Sequence, residues 1–417
     1  MNKDIKINKS DKIKLKIEKL VYGGNGLTHV GSRACFVSDT VPGDEIIAEI
    51  TGIKKQYLNA SIDDILSPSD HRVAPPCPYY SQCGGCQWQH IDYDYQLLWK
   101  EKILIESLER IGKFQDLKIN KILASKTEYN YRTRTIMQTK GGKTPGYFMK
   151  GSHNIIPVNS CMLLEEPINT AIQNLSDTIL KIAAEQNIKD IEFLFSKYAG
   201  KVIVSFNTNS KRKRIEPVIY DTVNNKMADN ADFIEVINDF TFLRNPRRFY
   251  QVNYVQNINM INIVRKFFSQ LDNPNILDLY CGCGNFSLFL AEKSTVVTGI
   301  DFDKKIIKEA RQNAKANNIY NCEFQTYDIT NLNINIFKSN YNCVLLNPPR
   351  TGTSGNVLEQ ILSIDPEIIV YVSCNPATLA RDLKILSEKF KIIEIQPLDL
   401  FPQTYHIETV VKLVKIK

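Results

Sequence analysis

Ile276-Leu277-Asp278-Leu279-Tyr280-Cys281-Gly282-Cys283-Gly284-Asn285-Phe286 is the stretch whose reading decides the fold. Ile276 to Leu279 has the residue types of a buried strand, Gly-x-Gly then forces a tight turn, and an apolar helical run follows. Strands are expected at Asn275–Leu279, Thr295–Ile300, Cys343–Leu346, Ile368–Val372, Ile392–Gln396 and Thr409–Val414. Helices fit between them, most clearly Lys304–Asn317. Strand and helix in alternation predict an α/β fold with a doubly wound, Rossmann-like, mainly parallel sheet.

The same loop speaks for a cofactor. Glycine is needed where the backbone turns sharply and a ligand approaches closely. Asp301 ends the next strand in Gly299-Ile300-Asp301, where a carboxylate can accept from both ribose hydroxyls of an adenosine. A dinucleotide fingerprint needs a third glycine beside the pyrophosphate, and Ser287 stands there. The loop therefore favours S-adenosylmethionine over NAD. Cys281 and Cys283 read as small residues filling the turn. After the strand Cys343–Leu346 comes Asn347-Pro348-Pro349-Arg350, which holds Asn347 extended and facing the cleft as part of a base-binding wall. After Ile368–Val372 comes Ser373-Cys374-Asn375-Pro376, a thiol at a strand end, where open α/β sheets place their chemistry.

Working outward, 417 residues are too many for one average core, and the apolar and charged fractions are those of a globular chain. The net charge of +7 is compatible with a polyanionic partner. The start, Met1 to Lys6, lacks an apolar stretch of signal-peptide length, and no segment reaches the roughly 18–20 apolar residues of a membrane span. A cytoplasmic protein with no membrane association and no obligate protein partner is expected. Its ten cysteines then call for metal, catalytic or packing roles.

Residues 1–66 read as a small β-barrel of the oligonucleotide-binding kind. Lys12 to Glu18 alternates strictly, glycine turns fall at Gly23-Gly24-Asn25-Gly26 and Pro42-Gly43-Asp44, and five short strands fit. Lys12, Lys14 and Lys16 form a stripe suited either to phosphate or to a solvated strand face. Residues 67–250 mix α and β, with a helix over Leu97–Ile111, a strand over Lys201–Phe206 and a basic run Lys211-Arg212-Lys213-Arg214. Residues 251–417 hold the Rossmann-like sheet. Cys77, Cys83 and Cys86 lie on a Gly/Pro-rich loop, and Cys161 is the candidate fourth ligand. Their spacing fits zinc and a [4Fe–4S] cluster equally. Cys35, Cys322 and Cys343 are expected to pack.

Five blocks then occur in a family's order: Arg248-Phe249-Tyr250-Gln251-Val252-Asn253, Asp278 to Phe286, Asn347 to Arg350, Ser373 to Asp382, and His406-Ile407-Glu408-Thr409-Val410. Over nearly the whole chain this resembles the RNA uracil-5-methyltransferases. The resemblance implies Cys374 as nucleophile and Glu408 as general base, with His406 the competing base. It implies S-adenosylmethionine contacts at Gln251, Tyr280, Asn285, Asp301 and Asp328, with Asn347 in the same pocket. It favours a [4Fe–4S] cluster on Cys77, Cys83, Cys86 and Cys161. The N-terminal segment resembles the TRAM domain of members acting on large-subunit ribosomal RNA, so 23S rRNA is the implied partner. The bacterial tRNA branch typically lacks both that domain and the cysteines. The chain departs from the family at Asp301, commonly glutamate, and at Asn347, more consistently aspartate. Asn347 keeps open a third reading, a non-catalytic RNA-binding protein.

Overall fold

The structure, a computed structural model, describes residues 7–139, 145–174, 177, 179, 181–182, 185, 187–208, 218–221, 224, 226–228, 233–245, 247–333 and 340–416. The basic run Lys211 to Arg214 and the start Met1 to Lys6 lie outside them. The chain forms two compact units, one of Met1–Glu106, Phe148–His153 and Phe401–His406, the other of Ser107–Tyr147, Asn154–Leu400 and Ile407–Lys417.

The first unit carries a six-stranded sheet in the order Lys12–Lys16, Glu45–Ile53, Tyr57–Ser67, Arg33–Val37, Gly26–Val30, Lys19–Leu20. One strand more than expected is present. Alternation puts Leu15, Ile46, Ala48, Ile50 and Cys35 into one buried cluster. The lysine stripe faces out, and each member finds a carboxylate: Lys12 pairs with Asp63 at 2.8 Å, and Lys14 and Lys16 with Glu45 at 3.3 and 3.6 Å. A solvated strand face describes the stripe better than a free phosphate contact.

In the second unit, Arg134–Gln138, Ile188–Ser196 and Lys201–Thr208 pair antiparallel within a seven-stranded sheet. The C-terminal sheet runs Cys322–Thr326, Val296–Asp301, Asn275–Leu279, Cys343–Leu346, Ile368–Ser373, Glu408–Lys415, Phe390–Leu398. Its first five strands are parallel, and the last two add antiparallel. Cys322–Thr326 was not foreseen. It is an edge strand in which only Phe324 is buried, so it leaves no apolar run to read. The helix expected over Leu97–Ile111 spans Tyr93–Ser107 and ends in a wider turn over Leu108–Gly112. Among the described residues no helix is long and apolar enough to cross a membrane.

Strand order reverses between Asn275–Leu279 and Cys343–Leu346. In open α/β sheets ligands bind in the crevice beyond such a reversal. Tyr280 and Asn347 follow those two strands, and the Asn347 N–H donates to the Leu279 carbonyl at 3.3 Å. Flanking helices start on side-chain caps: Asn253 accepts from Gln256 N–H at 3.2 Å, Asp303 from Lys305 N–H at 2.8 Å, and Asn375 from Ala377 N–H at 3.0 Å.

Candidate active site

The cofactor half is built mainly by backbone. Tyr280, Gly282 and Gly284 take φ of 65°, 57° and 89°, a left-handed succession that curls the loop back over the strand ends. A Cβ at Gly284 would meet Phe324 Cζ at 3.2 Å and Leu288 Cγ at 3.3 Å, so bulk is excluded there. Asp301 is buried, and Gly282 N–H and Asp303 N–H donate to its two carboxylate oxygens at 3.1 Å each. A carboxylate oxygen has two acceptor positions, so each retains capacity for a ribose hydroxyl. Those residues fit S-adenosylmethionine. Burial still outweighs the N–H donors and leaves the Asp301 pKa above the usual carboxylate range.

The other expected cofactor residues differ in what they do. Asn285 and Asn257 form a reciprocal amide pair at 2.9 Å in both directions. Asp328 is exposed and caps the short helix Ile329–Asn331, accepting from Thr330 N–H at 3.1 Å, Thr330 Oγ1 at 2.7 Å and Asn331 Nδ2 at 2.8 Å. The Tyr280 hydroxyl meets Thr353 Oγ1 at 2.8 Å. Among the described residues the Gln251 and Asn347 side chains have no hydrogen-bond partner. Beneath the loop, Ser287 donates to the fully buried Asp278 at 2.5 Å; burial pushes that carboxyl up to about 7, with Asp301 adding to the effect. Cys281 and Cys283 are buried with raised pKa values, inert as expected.

The other half of the site lies at the end of Ile368–Ser373. Ser373 pairs with Thr409 across antiparallel strands; Cys374 follows Ser373, Glu408 precedes Thr409, and the two are near enough for Glu408 to raise the thiol's pKa. Glu408 is buried, and burial pushes its carboxyl up to about 8 against the pull of the Arg350 cation. The half-buried Cys374 thiol is pushed up to about 11, by burial first and then by Glu408. Arg350 opposes this through its charge and a hydrogen bond to the thiol. One guanidinium thus acts on both the thiol and the carboxyl.

Arg350 was legible only as a motif letter, with no role attached. Its carbonyl accepts from Asn375 Nδ2 at 3.0 Å and Thr378 Oγ1 at 3.3 Å, which ties it to the residues just after Cys374. Asp382 was missed too. Its signal was a carboxylate in phase with buried Leu379 and Leu386 on one helix face, a place where an acid needs partners.

His406 lies in the first unit, its ring against Phe401 and Tyr405 at 5.6 and 4.3 Å. Cys77, Cys83 and Cys86 are also in the first unit, and Cys161 is in the second. Cys77 is near enough to help raise the Cys83 pKa, and Gly85 N–H donates to Cys83 Sγ at 3.4 Å. Among the described residues no group of three or more His, Cys, Asp or Glu is arranged to hold a metal ion. Cys35 and Cys343 pack in the core, and Cys322 contacts the Ser287 carbonyl at 3.6 Å.

Comparison with known proteins gives this geometry a family. The family model described as tRNA (uracil-5-)-methyltransferase matches residues 218–416. A Bacillus cereus protein named as an RNA methyltransferase is 32% identical over 99% of this chain and 98% of its own. One from Aquifex aeolicus is 32% identical over 97% and 99%. The crystal structure of Pyrococcus abyssi tRNA (uracil-54, C5)-methyltransferase with S-adenosyl-L-homocysteine superposes with a TM-score of 0.75 at 26% identity, covering 96% of this chain and 100% of that one. With a sequence kinship that spans the chain, this protein belongs to the RNA uracil-5-methyltransferase family.

Proposed function

We propose that the chain methylates C5 of a uridine in 23S ribosomal RNA through a covalent bond between Cys374 and C6 of the base. The observation that carries this reading is the half-buried Cys374 thiol at a strand end with the buried Glu408 carboxyl and the Arg350 cation beside it. Uracil C5 is a poor nucleophile toward a methyl sulfonium. Thiolate addition at C6 moves electrons onto O4, and C5 of that enolate can attack. S-adenosylmethionine, held by Asp301 and the Tyr280–Asn285 loop, would supply the electrophilic methyl group. Glu408 then takes the C5 proton, the C6–S bond breaks, and the C5–C6 double bond and the Cys374 thiolate return. A carboxyl poised at about 8 is a stronger base than an ordinary glutamate. The Asn347 amide can accept from uracil N3–H and donate to O4, so it can replace the family's aspartate in reading the base.

The N-terminal sheet as a TRAM-like module supports the ribosomal substrate, and a cytoplasmic setting belongs to the same reading. So does the division into residues 1–66, 67–250 and 251–417. One observation favours transfer RNA instead: the P. abyssi tRNA enzyme aligns with 96% of this chain, so its likeness reaches beyond the catalytic sheet. Equal amounts of unmodified 23S rRNA and tRNA, incubated with labelled S-adenosylmethionine, separate the two. Label at C5 of 23S uridine supports the proposal. Label in tRNA alone transfers it to the second reading, and label in neither favours a non-catalytic RNA binder.

Cys77, Cys83, Cys86 and Cys161 are proposed to hold a [4Fe–4S] cluster in a structural role, since methyl transfer needs no electron. The all-thiol donor set and the Cys77–Cys83 proximity support it. Anaerobic purification should give about four iron atoms per chain and broad absorbance near ~400 nm. Zinc in place of iron overturns this part.

A further inference from the structure

The carboxylate of Asp382, on the helix Pro376–Leu386, is fully buried. It accepts from the Tyr371 hydroxyl at 2.6 Å, Thr353 N–H at 3.0 Å and Arg381 Nε at 2.7 Å, and Arg381 Nη2 lies 2.6 Å from it as an ion pair. Arg381 also donates to the carbonyls of Thr351 and Thr353 at 3.2 and 3.0 Å. Gly352 has φ of 73°, and a Cβ there would sit 2.7 Å from Asp382 Oδ2 and 2.5 Å from Arg381 Nη2. The loop backbone therefore lies directly on the carboxylate, where only glycine fits.

This loop joins both halves of the site. At one end the Thr353 hydroxyl meets Tyr280 of the cofactor loop, and at the other the Arg350 carbonyl is held by Asn375 and Thr378. We propose that Asp382 is a positioning residue for methyl transfer, fixing the Asn347–Thr353 loop so that Arg350 stands beside Cys374 and Glu408. This rests on the catalytic reading above. Asp382 acts through the loop: its charged and titratable neighbours are Arg381, Tyr371 and Tyr280, whereas Cys374 faces Glu408 and Arg350. A buried carboxylate with three donors and an ion pair is costly to replace, because each donor loses its acceptor at once.

The test is the pH dependence of Cys374 alkylation by iodoacetamide in the full chain, without RNA or cofactor, read by peptide mass spectrometry. Arg350→Gln removes the cation that favours the thiolate, so its profile should move to higher pH. At pH 8 alkylation should slow roughly 3–10-fold. Asp382→Asn should show the same displacement, and the double variant should show no more than either single one. Gly352→Ala, which crowds the clamp without changing an ionisable group, should move the profile the same way and serves if Asp382→Asn does not fold. A general loss of stability alone would lower the melting temperature without moving the profile. A wild-type profile in Asp382→Asn or Gly352→Ala, or additive effects in the double variant, overturns the positioning role. The catalytic reading fails separately, if Cys374→Ala still transfers methyl groups.

Discussion

Two strand ends of one sheet hold the two halves of the site, and they are built in different ways. At the end of Val296–Asp301 the acid is gripped by two backbone N–H groups, and the adjoining loop is shaped by glycines. At the end of Ile368–Ser373 the Cys374 thiol lies near the buried Glu408, and a hydrogen-bonded network on the neighbouring loop brings in Arg350. The cofactor end is set by main-chain geometry, which holds one acid side chain in place. The Cys374 end depends on burial and one cation, and both its acids hold their protons near neutral pH.

The variants that break this contrast hardest come first. Cys374→Ala should lower methyl transfer at least ~10⁴-fold while S-adenosylhomocysteine binding, measured by calorimetry, stays within about twofold. Glu408→Gln should slow turnover by ~10³-fold or more and accumulate protein–RNA adduct on ordinary uridine RNA, seen as a band resistant to denaturant. It should also stabilise the fold. A carboxyl whose pKa is raised on folding contributes stability below its unfolded value near 4.5, and loses that contribution as pH rises to about 8. At pH 8 Glu408→Gln should therefore gain on the order of 1–3 kcal/mol in urea unfolding, and nothing at pH 4.

Asp301→Ala sharpens the other side. It should raise the KM for S-adenosylmethionine about 10–100-fold with a smaller change in kcat, since the lost contacts serve binding before chemistry. Initial rates across both substrates check the split. The pH–rate profile should then rise from pH 6.5 to 9 as Glu408 and Cys374 deprotonate, in wild type and Asp301→Ala alike. The smallest effect is expected at Asp328. Its exposed carboxylate is occupied with capping, so Asp328→Asn should change the S-adenosylmethionine KM by no more than about threefold.

Main-chain features were the more legible. The strand, the glycine turn and the acid ending the next strand announce themselves through local residue types, and Asp301 stands where its position predicted. Cys374 and Glu408 were readable as strand-end residues, yet their nearness comes from pairing between segments more than thirty residues apart. Arg350 and Asp382 act through contacts that no local pattern encodes: one is an exposed loop residue whose carbonyl is held, the other a helix acid turned inward. Asn285 shows the converse. Its motif position suggests the cofactor, and its amide is found paired with Asn257, a residue with no motif at all.

The most direct test incubates the protein with S-adenosylmethionine and 23S rRNA carrying 5-fluorouridine. Fluorine at C5 cannot leave as a proton, so the methylated base should stay bonded to the enzyme. Mass spectrometry should find one fluorinated, methylated nucleotide on the peptide containing Cys374, and none in Cys374→Ala. Methyl transfer to ordinary RNA without any such adduct, or an adduct on another residue, would contradict the central role of Cys374.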